Sequence, residues 1–184
     1  MRIIAGRHRG RTLAAPEGKQ VRPTSGRMRE RVFSMLQNRR YPPLDGARVA
    51  DIFAGTGALG LEAISRGAAF VTFVEKSPSS LACLQKNITA FQADTISRIV
   101  KCRASELPKA SGPCSHIFMD APYGRDLTRP ALDCLLAGGW VGTDTVIVCE
   151  LQTGEALELP DQLQLVDERT QGIQRVVFLR LAQQ

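Results

Sequence analysis

The feature that most constrains the fold of this 184-residue chain is a regular alternation, from Ala47 onward, of short apolar runs with segments of helical periodicity. The apolar runs have the length of buried strands, and the segments between them repeat apolar residues at helical spacing. Repeated strand-helix-strand units predict a parallel sheet with right-handed crossovers, helices on both faces and a functional site at the carboxyl ends of the strands. The predicted strands are 47–53, 70–75, 96–102, 114–119 and 145–150, and the predicted helices are 58–67, 76–91 and about 130–136.

Two further strand-like runs close the chain, at 163–170 and 173–181. They lie too close together for a crossover helix, so we expect them to form an antiparallel hairpin. The sequence therefore predicts an α/β protein with a seven-stranded, mostly parallel sheet that ends in an antiparallel hairpin. With 43% hydrophobic residues, a chain of this length can form one sizeable core.

The N-terminal part of the chain differs from the rest in charge. Residues 1–40 hold eleven Lys or Arg against two acids, a balance of +9, so the other 144 residues carry −3 of the total +6. Two short apolar stretches flank the sequence GRHRG, which suits a β-hairpin with a basic tip, and residues 26–39 have the periodicity of an amphipathic helix. We expect a basic extension, 1–43, that contacts nucleic acid, and a main domain, 44–184. The residues predicted to make these contacts are Arg7, His8, Arg9, Arg11, Arg22, Arg27 and Arg29.

A glycine-rich loop, GTGALG at 55–60, lies between the first strand and the first helix of the main domain. Glu75 follows Gly55 by twenty residues, at the end of the second predicted strand. Glycines at this spacing allow a tight turn and close approach of the backbone to a ligand, and a carboxylate at this position accepts hydrogen bonds from ribose hydroxyls. The pattern by itself does not separate a dinucleotide from S-adenosylmethionine, because both contain an adenosine.

Asp51, just before this loop, favours S-adenosylmethionine. A dinucleotide brings a pyrophosphate, which binds at a helix N-terminus and is repelled by a nearby anion. S-adenosylmethionine brings a sulfonium and an ammonium group, and a carboxylate placed here would face that cationic end. We therefore predict S-adenosylmethionine as the cofactor.

A second candidate site follows the fourth predicted strand, in the stretch HIFMDAPYGRD at 116–126. The apolar residues 117–119 have the character of a strand end. The following residues, Asp120 to Tyr123, would then stand at the rim of the sheet, where parallel sheets carry their chemistry.

The segments DIFAGTGALGLEA, VTFVEKS, FMDAPYGRD and VIVCE, together with the leading RIIAGRHRGRTL, resemble the RsmD family of methyltransferases, which modify the exocyclic N2 of a guanine in small-subunit ribosomal RNA. The resemblance extends over nearly the whole chain and includes the basic N-terminal part. It implies a class I, Rossmann-like methyltransferase fold and S-adenosylmethionine as the donor. It further implies 16S ribosomal RNA, in an assembled or assembling small ribosomal subunit, as the substrate and partner.

The resemblance also implies roles for single residues. In amino-group methyltransferases the Asp carboxylate and the next carbonyl accept the two N–H bonds of the target amine, and the aromatic residue stacks on the base. The usual motif is Asp-Pro-Pro-Tyr; here Ala121 replaces the first proline but supplies the same carbonyl, and Pro122 restrains it toward an extended conformation. Ser105, after the third strand, is a candidate to meet the adenine. The predicted catalytic residues are Asp120, Ala121, Pro122 and Tyr123, and the predicted cofactor contacts are Asp51, Phe53, Gly55, Thr56, Gly57, Glu75, Lys76 and Ser105.

The five cysteines are scattered without a CxxC pair or a histidine cluster, which predicts buried reduced thiols and no metal site. No apolar run approaches the roughly 18 residues of a membrane span, and the first residues lack the apolar core of a signal peptide. We therefore expect a cytoplasmic protein without membrane contact, and a monomer.

Three other functions fit parts of the pattern. An adenine-N6 or other amino methyltransferase acting on DNA or RNA would grip its target amine in the same way. An NAD-dependent oxidoreductase would also use the glycine loop and Glu75. A non-catalytic RNA-binding chaperone of ribosome assembly would need only the basic extension. Methylation of a guanine N2 accounts for all of the motifs together, and it is the function that we predict.

Overall fold

The computed structural model describes residues 1–16 and 26–183 and contains one seven-stranded sheet with helices on both faces. The strands are β1 (Arg48–Ile52), β2 (Phe70–Val74), β3 (Ser97–Val100), β4 (Cys114–Asp120), β5 (Val141–Gln152), β6 (Leu163–Gln171) and β7 (Gln174–Leu181). The helices are α1 (Gly26–Met35), α2 (Ala58–Ser65), α3 (Pro78–Ala90) and α4 (Thr128–Ala137), and a short 3-10 helix, Asp94–Ile96, precedes β3.

The strands lie in the order β3-β2-β1-β4-β5-β7-β6. Strands β1 to β5 are parallel to one another, whereas β7 pairs antiparallel with both β5 and β6. This arrangement confirms the predicted parallel sheet with its C-terminal antiparallel hairpin. The chain order reverses between β1 and β4, and in open sheets of this kind ligands bind beyond the carboxyl ends of the strands at such a reversal.

Each face of the sheet carries its own hydrophobic cluster. One cluster joins Phe118 and Phe178 to α1, α2 and α3 and to Ile3 of the N-terminal segment. The other joins Ile117 to Leu132 of α4. Neighbouring residues of β4 enter opposite clusters because successive side chains of a strand point to opposite faces.

Within the N-terminal segment, Arg2 and Thr12 form an isolated antiparallel bridge. The predicted hairpin is therefore present as a bridge closed by turns instead of two regular strands. Ile3 and Leu13, on either side of the tip, are buried in the same cluster as the helices of that face. Whether residues 1–43 form a separate folding unit stays a prediction, but the described part of this segment shares the core of the sheet.

A buried carboxylate ties the N-terminal segment to α2. The backbone N–H groups of Ile4 and Ala5 donate hydrogen bonds to Glu62 at 2.8 and 3.0 Å. Glu62 is fully buried, and the Nε of Arg66 donates to the same carboxylate at 2.8 Å. Because α2 starts at the glycine-rich loop, the basic tip is attached to the element that shapes the loop.

Two elements differ from the prediction by four residues at one end. Helix α1 ends at Met35, four residues before the predicted end, and β5 begins at Val141, four residues before the predicted start. The early part of β5 reads VGTD, which lacks a strand pattern, and it joins the sheet through a shift in its register with β4 between Cys114 and His116. No helix within 1–16 and 26–183 has the length and apolar character needed to cross a bilayer.

Candidate active site

A cavity of about 750 Å³ opens at the carboxyl ends of β1, β2, β4 and β5. Its size is that of a small-molecule site. The structure brings the two predicted motifs together in this cavity, although they are far apart in the sequence. The predicted site residues that line it are Asp51, Phe53, Gly55, Thr56, Glu75, Lys76, Ser105, Asp120, Ala121, Pro122 and Tyr123. Gly57 is not in the cavity wall, and its contribution is to the shape of the loop.

The glycine-rich segment 55–60, which links β1 to α2 and includes the first turn of α2, depends on two of its glycines. Gly57 has a φ of 85°, in the left-handed region that favours glycine. A Cβ at Gly60 would clash with the ring of Phe73 on β2, so the close packing of α2 on the sheet requires its absence. Phe53 has a positive φ of 64°, which is unusual for a residue with a side chain and places backbone strain in the wall of the cavity.

Glu75 braces this loop as well as facing the cavity. Its Oε2 accepts the backbone N–H of Gly55 at 2.8 Å, and its Oε1 accepts the backbone N–H groups of Lys76 and Ser77 at 2.8 and 2.7 Å. A carboxylate has about four acceptor positions. Three are occupied in this conformation, so Glu75 can accept one further strong hydrogen bond at Oε2 without displacing the loop.

Asp51 is 1% exposed, and its Oδ2 accepts the backbone N–H of Gly60 at 2.8 Å. Burial raises the pKa of Asp51 well above its usual range, and the negative charges of Asp120 and Glu75 raise it further, whereas the Gly60 hydrogen bond opposes the shift. With Glu150, which also lines the wall, four carboxylates therefore face one cavity. A cationic ligand would relieve their mutual repulsion, and an anionic one would add to it.

The predicted catalytic loop starts where β4 ends. Asp120 is the last residue of β4 and is half-buried, the side chain of Ala121 is 7% exposed, and Pro122 is exposed. Tyr123 is half-buried, and its hydroxyl donates to Oε1 of Glu150 at 2.7 Å. The substitution of Ala for the usual first proline leaves the acid, the carbonyl and the aromatic residue together on the cavity wall.

Three charged residues of the cavity wall were not predicted. Glu150 lies in β5 opposite Asp120 of β4, and Arg103 and Arg125 follow β3 and β4. A signal for Glu150 existed in the sequence, because it ends an apolar run in the same way as Glu75 does. The arginines carry no comparable signal, since isolated arginines in polar loops are common.

The residues predicted to contact nucleic acid differ in exposure. Arg7, Arg9, Arg11 and Arg27 are exposed, as a surface that binds phosphates requires. Arg22 lies outside the described residues.

His8 and Arg29 are less accessible than these four arginines. The ring of His8 is half-buried and packs against Phe91 at 5.0 Å between centroids; burial, together with the positive charges of Arg7 and Arg11, lowers its pKa. Arg29 is 1% exposed, and its guanidinium donates to the backbone carbonyl of Arg2.

The burial of Arg29 leaves it little exposed surface for the predicted contact in this conformation. The residue lies one helical turn before Val32 and Phe33, on the buried face of α1. Burial lowers the pKa of Arg29, and the charge of Glu62 opposes that shift, which is the compensation that a buried cation requires.

The cysteines are free thiols, and burial raises the pKa of Cys149 to about 12 and that of Cys114 to about 11. Thiols with such pKa values are inert at neutral pH. Within the described ranges no group of three or more His, Cys, Asp or Glu side chains could hold a metal ion.

Comparisons with known proteins agree over nearly the whole chain. The model of a family described as conserved hypothetical protein 95 matches residues 1–180. The chain is 35% identical over 174 residues to the Escherichia coli K12 protein named ribosomal RNA small subunit methyltransferase D, a match that covers 94% of this chain and 85% of that protein. The Haemophilus influenzae protein of the same name is 31% identical over 177 residues, with 94% and 90% covered. A solved Escherichia coli structure, the proposed methyltransferase yhhF, superposes with a TM-score of 0.85 at 33% identity and covers 100% of this chain and 99% of that chain.

Proposed function

This chain belongs to the family described as conserved hypothetical protein 95, and from that premise we propose that it transfers a methyl group from S-adenosylmethionine to the exocyclic N2 amine of a guanine in 16S ribosomal RNA. The resemblance to the RsmD family, read from the motifs, is confirmed by relatives named ribosomal RNA small subunit methyltransferase D. The class I methyltransferase fold predicted from the sequence is confirmed as well.

The observation that carries the proposal is that Asp51 and Asp120 face the same cavity from the neighbouring strands β1 and β4. Asp51 belongs to the glycine-loop motif and Asp120 to the motif that grips an amine. Methyl transfer to an amine needs a cationic donor and the amine side by side. The two motifs meet in the arrangement that this reaction requires.

The residues of the cavity fit S-adenosylmethionine. The raised pKa of Asp51 reflects a buried acid among other acids, and a sulfonium and an ammonium would stabilise its ionised form. Glu75 retains one acceptor position for a ribose hydroxyl, and Ser105 and Lys76 are part of the wall. A dinucleotide would bring its pyrophosphate toward Asp51 and Glu75, the two acids bonded to the glycine-rich loop, which disfavours the oxidoreductase alternative.

In the proposed mechanism, bound S-adenosylmethionine supplies an electrophilic methyl group, and the protein orients the amine. A guanine N2 is a poor nucleophile because its lone pair is delocalised into the ring. The carboxylate of Asp120 and the carbonyl of Ala121 would accept its two N–H bonds and direct the lone pair toward the methyl group. Asp120 would also stabilise the positive charge that develops on nitrogen.

Tyr123 would stack on the target base, which must leave its neighbours in the RNA to enter the cavity. The exposed arginines of the N-terminal tip, Arg7, Arg9 and Arg11, would bind phosphates of the same RNA. We propose the small ribosomal subunit, assembled or assembling, as the partner. A monomer acting in the cytoplasm is the state that we expect for such an enzyme.

The test is incubation of the protein with isotopically labelled S-adenosylmethionine and small ribosomal subunits that lack the modification. The RNA is then digested to nucleosides, and the labelled nucleoside is identified by mass spectrometry. Labelled N2-methylguanosine is the expected product. Labelled N6-methyladenosine would instead support the adenine alternative. The absence of label on both subunits and naked RNA would contradict the methyltransferase proposal.

A further inference from the structure

Glu150 occupies a position in the cavity that the proposed chemistry leaves unassigned. It lies near the end of β5, it is 7% exposed, and it lines the cavity beside the catalytic loop. Its Cα partner in β4 is Asp120, so the side chains of these two acids lie on neighbouring strands at the same level of the sheet.

One oxygen of this carboxylate, in β5, accepts hydrogen bonds from the loop after β4 and from β7. Oε1 of Glu150 accepts the hydroxyl of Tyr123 at 2.7 Å and the side-chain amide of Gln174 at 2.8 Å. Gln174 starts β7 and is 9% exposed. The Tyr123 hydroxyl is therefore bonded to a group that is itself held inside the sheet.

Most residues on either side of Tyr123 in its loop are exposed. Pro122, Gly124, Arg125 and Asp126 are all exposed. Gly124 and Asp126 have positive φ values of 66° and 47°, which describe an irregular turn without helix or strand hydrogen bonding. An aromatic ring on such a loop samples several orientations unless a contact to the sheet restrains it.

We propose that Glu150 is a positioning residue, which holds the Tyr123 ring in the orientation needed to stack on the target base. The proposal rests on the proposed function, because it takes Tyr123 as the stacking residue. A ring fixed before the base enters saves the conformational entropy that would otherwise be lost on binding. Glu150 acts through Tyr123 and does not itself contact the amine.

This role requires an acceptor at Oε1 and does not require a negative charge. A glutamine at position 150 keeps a carbonyl oxygen that can accept from both Tyr123 and Gln174, whereas an alanine removes it. Glu150→Gln is therefore a rescue variant matched in size and shape. Tyr123→Phe removes the same hydrogen bond from its other end and keeps the ring.

The first arm of the test measures steady-state kinetics of N2-methylguanosine formation. Glu150→Ala is expected to lower kcat by roughly tenfold, the scale of one lost hydrogen bond, with the dissociation constant of S-adenosylmethionine unchanged. Glu150→Gln should stay within about twofold of the starting enzyme, on the same scale. In a Tyr123→Phe background, Glu150→Ala should lower kcat little further than Tyr123→Phe alone, because the hydrogen bond is already absent.

The second arm observes the ring without relying on turnover. The chain has two tyrosines, so incorporation of 3-fluorotyrosine yields two fluorine signals, and Tyr41, buried and stacked on Phe178 at 5.4 Å, serves as the internal reference. Glu150→Ala should shift the fluorine resonance of Tyr123 to the chemical shift of a mobile ring. The resonance of Tyr41 should not change. Glu150→Gln should keep the original signal.

Two results would overturn the proposal: an unchanged Tyr123 signal in Glu150→Ala, or a Glu150→Gln enzyme as impaired as Glu150→Ala. The second result would mean that the charge itself acts on the substrate. If the unaltered protein makes no N2-methylguanosine, the proposed function fails, but the fluorine signals still decide whether Glu150 holds the ring.

Discussion

The carboxylate of Glu75, at the end of β2, accepts the backbone N–H of Gly55 in the glycine-rich loop at 2.8 Å. A residue predicted to hold a ribose is therefore also a brace for the loop that approaches the ligand. The two contributions are coupled, since any change at Glu75 alters both the ligand contact and the shape of the loop.

Glu75→Ala is expected to weaken binding of S-adenosylmethionine by at least about tenfold, because the ribose acceptor and the Gly55 hydrogen bond disappear together. Isothermal titration calorimetry measures the dissociation constant directly. Glu158→Ala, at an exposed acid outside the cavity wall, is the matched control and should bind normally. An unchanged constant in Glu75→Ala would remove this residue from the cofactor site.

Asp120→Ala should reduce turnover by roughly a hundredfold or more, since it removes a group that stabilises developing charge on the amine. Binding of S-adenosylmethionine should persist, because the glycine-rich loop and Glu75 are untouched. Asp120→Asn keeps the shape of the side chain but presents an N–H₂ group in place of one acceptor, and it should be nearly as inactive. Near-normal turnover in both variants would exclude the proposed grip on the amine.

Asp51→Asn should stabilise the free protein and weaken its binding of S-adenosylmethionine. In the folded state the pKa of Asp51 is raised above its unfolded value of 3.8, so its contribution to stability is present below that pH and is lost as the pH rises. The gain in Tm from Asp51→Asn should therefore be larger at pH 8 than at pH 5. Thermal unfolding at both pH values, with and without S-adenosylmethionine, checks each part. A variant less stable than the parent at pH 8 would contradict the prediction.

The triple variant Arg7→Gln, Arg9→Gln, Arg11→Gln should bind small-subunit RNA more weakly. Removing three phosphate contacts should reduce the slope of log Kd against log salt by about 2. Filter binding at several salt concentrations measures the slope. Arg29→Met is the contrasting control, since Arg29 is buried and its loss should reduce stability without changing the slope. The same slope in the triple variant and the parent would exclude the tip as a phosphate-binding surface.

His116 should make the fold less stable as the pH falls from about 6.5 to about 4. Burial lowers the pKa of His116 from 6.5 to about 4, partly offset by a backbone hydrogen bond at Pro42, so the folded state favours the neutral ring. Its contribution to stability is complete above pH 6.5 and declines through this window, by roughly 3 kcal/mol in total. His116→Phe should flatten the dependence of the unfolding free energy on pH, as measured by urea titration. An equal slope in parent and variant would show that His116 does not titrate in this range.

Much of this fold is readable from the chain because its signals are local. Each strand of the parallel sheet is a short apolar run, and the residues that follow it must lie at the carboxyl edge of the sheet. Asp51, Gly55, Glu75 and Asp120 can therefore be assigned to one edge from the sequence alone, and in the folded chain all four line one cavity.

The bulge in β5 and the burial of Arg29 could not be predicted from local sequence patterns. The start of β5 at Val141 depends on a register shift against β4, which no pattern within β5 indicates. Arg29 belongs to the buried face of α1 by helical spacing, but a buried arginine is acceptable only where other groups compensate it. Glu62 and the carbonyl of Arg2 provide that compensation from distant parts of the chain.

The sequence by itself determined the succession of strands and helices along the chain, the glycine-rich loop and the acid at the end of β4, because periodicity and loop chemistry act over a few residues. Only the tertiary structure decided which groups meet across the sheet. The bond from Tyr123 to Glu150 joins residues 27 apart, and Gln174 reaches the same oxygen from 24 residues further on. Such contacts depend on strand order and side-chain direction together, and both are properties of the packed sheet.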